Sequence, residues 1–70
     1  MRTLQWFLNQ TTDGRFKVEE IVTRTGAETA SEWRLYQARE TITGTVWDDC
    51  GGAFDSAREA RAHAQRLAGR

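Results

Sequence analysis

The chain has no proline, a single cysteine and a single histidine, and these shortages remove whole classes of function. Cys50 has no partner for an internal disulfide. One cysteine with one histidine, His63, cannot supply the usual zinc ligand sets, so no metal site is expected, and no cofactor motif stands out. No apolar run is long enough to span a bilayer. Met1 is followed by polar–apolar alternation, not by the apolar core of a secretory signal, and the expected setting is a reducing cytoplasm. Ten basic and ten acidic residues cancel, which removes the electrostatic footprint of a generic nucleic-acid binder. No repeat, linker or low-complexity stretch is found, and residues 1–70 read as one domain.

The sequence does hold seven aromatics, 39% hydrophobic and 29% charged residues, a globular composition. At this size roughly 60% of the unfolded surface is buried on folding, so the core is marginal and gains from a partner or a second copy. Nine of the ten basic residues are arginine, Lys17 being the exception. A GC-rich coding genome leaves that bias without any functional demand.

No single helix could cover the aromatics. Along a strand, successive side chains point to opposite faces. Read so, residues 3–10 place Leu4, Trp6 and Leu8 on one face, and residues 32–38 place Trp33 and Leu35 on that same face. Phe7 and Tyr36 point the other way, joined by Trp47 from a strand over residues 41–47. Asp13-Gly14 between two strand-like runs predicts a hairpin, with residues 15–24 returning. There Phe16, Val18 and Val22 share a face with Glu20. Either a bulge at Glu19-Glu20 corrects the phase, or Ile21 joins the opposite face. Gly26 ends that strand, residues 27–31 read as a loop or one helical turn, Arg39-Glu40 as a turn, Gly44 as a bulge or close approach, and residues 48–52 as a loop.

The C-terminal segment carries the helix signals. Ser56-Ala57-Arg58-Glu59 is a capping-box pattern, in which the Ser56 hydroxyl accepts from the Glu59 amide while the Glu59 carboxylate reaches back to the Ser56 amide. Ala57, Ala60, Ala64, Leu67 and Ala68 follow at helical spacing, and Gly69 ends the helix. An alanine stripe lets the helix lie close to the sheet and leaves the bulk of the core to Trp6, Phe16, Trp33, Leu35 and Phe54. Arg58, Arg61, Arg66 and Arg70 read as a solvated face that complements the helix dipole.

The expected fold is therefore α+β: a small three- to four-stranded, mostly antiparallel sheet with one C-terminal helix packed on one face. The other face stays open, with Phe7, Tyr36 and Trp47 interleaved with Arg15, Lys17 and Arg34. Single-stranded nucleic-acid platforms use such a mixture, and so do protein interfaces. Glu19, the Asp48-Asp49 pair and the zero net charge favour a protein partner. The expected partner-binding set is Phe7, Lys17, Arg34, Tyr36, Trp47, Asp48 and Asp49. Burial of this face in a homodimer is the competing reading. A Cys50–His63 nucleophile pair lacks a third orienting group. Gly51-Gly52 ahead of a helix has the look of a phosphate cradle, but Asp48, Asp49 and Asp55 would repel an anion.

In layout, this outline resembles the strand-strand-strand-helix DNA-binding modules at the start of some phage integrases, although the acidic Asp48-Asp49 loop departs from what DNA would want. In size and in its lack of catalytic groups it is similar to small phage-encoded inhibitors such as anti-CRISPR proteins. The functional expectation is a small non-enzymatic protein-interaction or inhibitor module, phage or mobile-element encoded, that docks a protein partner through the aromatic sheet face and an acidic loop at Asp48-Asp49. A nucleic-acid-binding regulator of the strand-strand-strand-helix type is the alternative.

Overall fold

The computed structural model describes residues 3–69, so Arg70 of the helix cations lies outside the described residues. The elements are β1 (Trp6–Phe7), β2 (Gln10–Thr11), β3 (Phe16–Thr25), β4 (Glu28–Thr41), β5 (Gly44–Asp49) and α1 (Ala57–Ala68). The strands form one antiparallel sheet in sequence order. The α+β reading holds, with five strands where three to four were expected.

The extra strand comes from the first segment. Residues 3–10 do not run straight, because the chain reverses at Leu8-Asn9 and pairs Phe7 with Gln10. Leu8 has φ 57°, a left-handed backbone that ordinarily costs a non-glycine residue about 1–3 kcal/mol. Its side chain, expected on the sheet face of Leu4 and Trp6, is 76% exposed at the turn. Arg61 of α1 holds the reversal in place: a guanidinium nitrogen donates to the Leu8 carbonyl at 2.7 Å while the group lies 5.2 Å from the centre of the Trp6 ring.

The Asp13-Gly14 reversal forms as predicted, and a buried hydroxyl organises it. Thr11 Oγ1 accepts from the amides of Arg15 (3.1 Å) and Phe16 (3.0 Å), and it donates to Asp13 Oδ1 at 2.8 Å. From Phe16 onward β3 pairs with β4 in unbroken register, Phe16 with Gln37 through Thr25 with Glu28. No bulge interrupts Glu19-Glu20, so Ile21 belongs to the face away from α1.

Two turns differ from expectation. Residues 27–31 are not a loop: Gly26-Ala27 alone makes the turn, and β4 begins at Glu28. Arg39-Glu40 is not a turn either, since β4 runs on to Thr41 and the chain reverses at Ile42-Thr43. Thr41 stabilises that reversal by accepting the Thr43 amide at 3.2 Å and donating to the Gly44 carbonyl at 2.8 Å. Gly44, at φ 129°, closes the turn; it does not mark a bulge inside a strand.

Helix α1 is capped as read at one end of the box only. Ser56 Oγ accepts from the Glu59 amide at 3.2 Å, but the Glu59 carboxylate accepts from the Asp55 amide, one residue earlier than expected. Ala60 and Ala64 are fully buried with Phe16 and Leu35; Leu4 and Val18 complete the core, and Trp6, Trp33, Cys50, Phe54, Leu67 and Ala68 pack around it. The Leu4 amide donates to Gln65 Oε1 at 2.8 Å, and Phe54 and Trp33 exchange backbone hydrogen bonds of 2.8 and 2.9 Å. These links tie the helix and its lead-in to the sheet. Val22 faces the helix side by alternation but is 56% exposed, and residues 22–31 are exposed throughout, because β3 and β4 run beyond the buried region.

Two stability outcomes follow from this packing. Ala64→Leu overfills a fully buried helix–sheet contact and is expected to cost about 1–3 kcal/mol, while Ala62→Leu on the exposed side is expected to be near neutral. Leu8→Gly relieves the left-handed strain without removing core packing. Net of about 0.5–1 kcal/mol for the entropy of glycine, it is expected to stabilise by about 0.5–1 kcal/mol. Urea unfolding of the four proteins measures both effects, and a parental midpoint for Ala64→Leu would mean that α1 does not dock by this stripe.

Candidate functional site

Hydrogen-bonded register carries one row of side chains across all five strands on the face away from α1. Phe7 pairs with Gln10, Gln10 with Lys17, Lys17 with Tyr36, and Tyr36 with Asp49. Trp47 pairs with Ala38 and so faces the same way. Lys17 Nζ sits 4.5 Å from the Trp47 ring centre and 5.6 Å from that of Tyr36. At such distances a cation is drawn to the ring faces by about 0.5–1 kcal/mol when exposed. Tyr36 and Trp47 are half-buried, whereas Phe7 is 72% exposed. Beside Phe7 and Lys17, an open hollow of about 700 Å³ runs along Leu8, Asn9 and Gln10.

The neighbouring row is ionic. Glu19 pairs across from Arg34. The Arg34 guanidinium donates to Glu32 Oε2 at 2.7 Å and to Asp49 Oδ2 at 3.3 Å. With Glu40, which accepts from the Thr45 hydroxyl at 2.8 Å, four carboxylates share this face with the cations Lys17 and Arg34. The face is therefore aromatic and acidic in balance, with Arg34 neutralised by its own neighbours.

Asp48 and Asp49 do not form an acidic loop. Both lie in β5 and point to opposite faces. Asp48 accepts two hydrogen bonds from Arg39, at 2.8 and 3.3 Å, on the helix side. The Arg39 hydrogen bond holds the Asp48 carboxyl below its ordinary range. Of the seven expected site residues, Phe7, Lys17, Arg34, Tyr36, Trp47 and Asp49 share one face and Asp48 does not. Glu32 and Glu40 were missed. Glu32 alternates with Arg34 and Tyr36 in the strand as read from 32, and continuing that strand to 41 would have found Glu40.

The chemistry around Cys50 runs against a nucleophile. Burial, and then the nearby Asp49 and Asp48 carboxylates, push its thiol pKa up. A nucleophilic cysteine needs the opposite shift. His63 packs on the Phe54 ring at 5.4 Å between centres, with Nδ1 3.5 Å from an Arg66 nitrogen. The Gly51 amide is already taken by Asp49 Oδ1 at 2.8 Å, so a side-chain carboxylate occupies the place that a phosphate would need. Among the described residues no three His, Cys, Asp or Glu side chains cluster as a metal site, and no helix is long and apolar enough to cross a membrane.

No protein-family model, curated protein or solved structure matches the chain.

The raised thiol pKa has a measurable consequence. Folding favours the protonated thiol, so this contribution to stability is complete below the unfolded-state pKa and is lost as pH rises through the folded one. Alkylation of Cys50 by iodoacetamide, followed by mass across pH, is expected to reach its half-maximal rate at higher pH in the native protein than in urea. Coincident profiles would rule out the burial effect.

Proposed function

We propose that this chain is a small non-enzymatic protein-interaction module that docks a protein partner through the open sheet face. The observation that carries this reading is the five-strand row from Phe7 to Asp49, with Lys17 resting on Trp47 and Tyr36. Aromatic side chains fixed on a sheet provide large contact area at little entropic cost, and Trp, Tyr and Arg dominate interface energetics. Four carboxylates around the rings select a cationic partner, most simply an arginine-bearing segment whose guanidinium replaces the Lys17 ammonium on Trp47. An inhibitor of the kind phage and other mobile elements encode, acting in the cytoplasm by covering a partner's surface, needs nothing more than such a face.

The nucleic-acid alternative loses support from Arg34. A phosphate contact needs a free cation, and this guanidinium is held between Glu32 and Asp49.

The reading predicts opposite signs for two residues in one cluster. With an arginine-rich peptide as probe, Trp47→Ala removes the stacking surface and is expected to weaken binding roughly two- to thirtyfold, the equivalent of about 0.5–2 kcal/mol. Lys17→Ala removes the internal competitor and a positive charge, and is expected to tighten binding. Calorimetric titration of both variants beside an oligothymidine control decides. Weakening by both variants would reject the displacement mechanism, and preferential binding of the oligonucleotide would favour the nucleic-acid reading.

A further inference from the structure

The outer edge of β3 beyond Val18 has no strand paired to it among the described residues. Strand β2 reaches β3 only at Gln10–Lys17, and the Val18 amide donates to the Asn9 carbonyl at 2.8 Å. Backbone groups alternate in direction along a strand. With the Val18 amide pointing outward, the N–H and C=O groups of Glu20, Val22 and Arg24 point outward too, while those of the intervening residues bond to β4. An exposed row of unmet donors and acceptors is a template for another strand.

The side chains of residues 20–24 are complementary about Val22, with a carboxylate at one end and a guanidinium at the other. In an antiparallel pairing of β3 with a second β3 about a two-fold axis at Val22, Glu20 falls opposite the partner's Arg24. Ile21 falls opposite the partner's Thr23, and Val22 opposite the partner's Val22. Each outward N–H and C=O of Glu20, Val22 and Arg24 then meets its complement, and opposite charges face each other at both ends of the paired stretch. No shift of the axis by one residue keeps both charge matches, since an axis at Ile21 sets Glu20 against Val22 and one at Thr23 sets Val22 against Arg24. Pairing stops at Glu20 because Asn9 already holds Val18, and the partner's Gly26-Ala27 turn comes up against the Leu8-Asn9 turn. The other long edge, β5, offers no such match: about Trp47, Val46 would face Asp48 and Thr45 would face Asp49.

We infer that the 20–24 edge of β3 is a self-association site, where two copies join into one continuous antiparallel sheet about Val22. The site lies apart from the aromatic row and stands or falls independently of it.

Sedimentation equilibrium over micromolar to millimolar protein tests this, with far-UV circular dichroism to confirm folding. The parent is expected to dimerise. Val22→Pro removes an outward amide that makes no bond within the monomer, which an edge strand tolerates, and is expected to abolish dimerisation. Glu20→Arg or Arg24→Glu alone sets like charges together twice per dimer and is expected to weaken it about tenfold. The double reversal Glu20→Arg/Arg24→Glu restores the match and is expected to restore the dimer even if the proline variant misfolds. Trp47→Ala is expected to leave it unchanged. A parent that stays monomeric at millimolar concentration, a dimer that survives in a folded Val22→Pro, or a double reversal no better than the single ones would each overturn the inference.

Discussion

One short helix over a long ribbon is the constraint from which the rest of this structure follows. Helix α1 has 12 residues, roughly 18 Å of cover at about 1.5 Å per residue. Strand β4 has 14 residues and runs for roughly 40 Å or more at about 3.3 Å per residue, in a molecule whose longest dimension is 42 Å. The helix can therefore bury only the middle of the sheet. There Ala60 and Ala64 bring its backbone down on Phe16 and Leu35, and this contact must hold a domain too small for a second one. Past it, the β3–β4 hairpin projects at one end and the β4–β5 hairpin at the other, which is why Val22 and Ile42 are exposed despite their chemistry.

The open face is assembled by register, so neighbours in sequence separate and distant residues meet. Asp48 and Asp49 are adjacent in the chain, yet one binds Arg39 beneath the sheet and the other Arg34 above it. Lys17 and Trp47 lie 30 positions apart and are in contact. These ion pairs are too exposed to contribute much stability, since exposed pairs are worth about 0–1 kcal/mol. Their effect is one of assignment: Glu32 and Asp49 occupy Arg34, which leaves Lys17, on a flexible stem, as the cation that covers the aromatic rings. A cover that is charged, solvated and attached by an unbranched chain is easily exchanged for another cation.

Much of this was legible from residues whose local chemistry and tertiary role agree. The Ser56 cap, the alanine stripe and the Asp13-Gly14 reversal each follow a rule that the whole fold also satisfies, and alternation alone placed Phe7, Tyr36 and Trp47 together. The failures fell where turns use unsuitable residues. Leu8 adopts a glycine-like φ, held by an arginine 53 positions away, and Ile42 stands fully exposed at a reversal closed by Thr41. Neither carries a turn signature, so strand limits were misplaced on both sides, and the missed extent of β4 hid Glu40 from the site, whereas Glu32 already alternated with Arg34 and Tyr36 and was passed over. The stretch Glu28-Thr29-Ala30-Ser31 that opens β4 lacks the apolar alternation of a half-buried strand because nothing buries either of its faces.

The two surfaces left by the short helix are geometrically related. In an antiparallel pairing, the two-fold axis stands perpendicular to the sheet, so both copies turn the same face the same way. Val22 lies five residues along β3 from Lys17, about 17 Å at roughly 3.4 Å per residue. A dimer joined at Val22 would therefore carry both helices on one side and, on the other, two aromatic rows about 35 Å apart in a single continuous face. A partner offering two cationic segments at that spacing would make its second contact at a high effective concentration, and avidity would exceed what either row supplies alone. For a domain with so small a core and such exchangeable surface contacts, duplication across an edge raises affinity without requiring any stronger individual interaction.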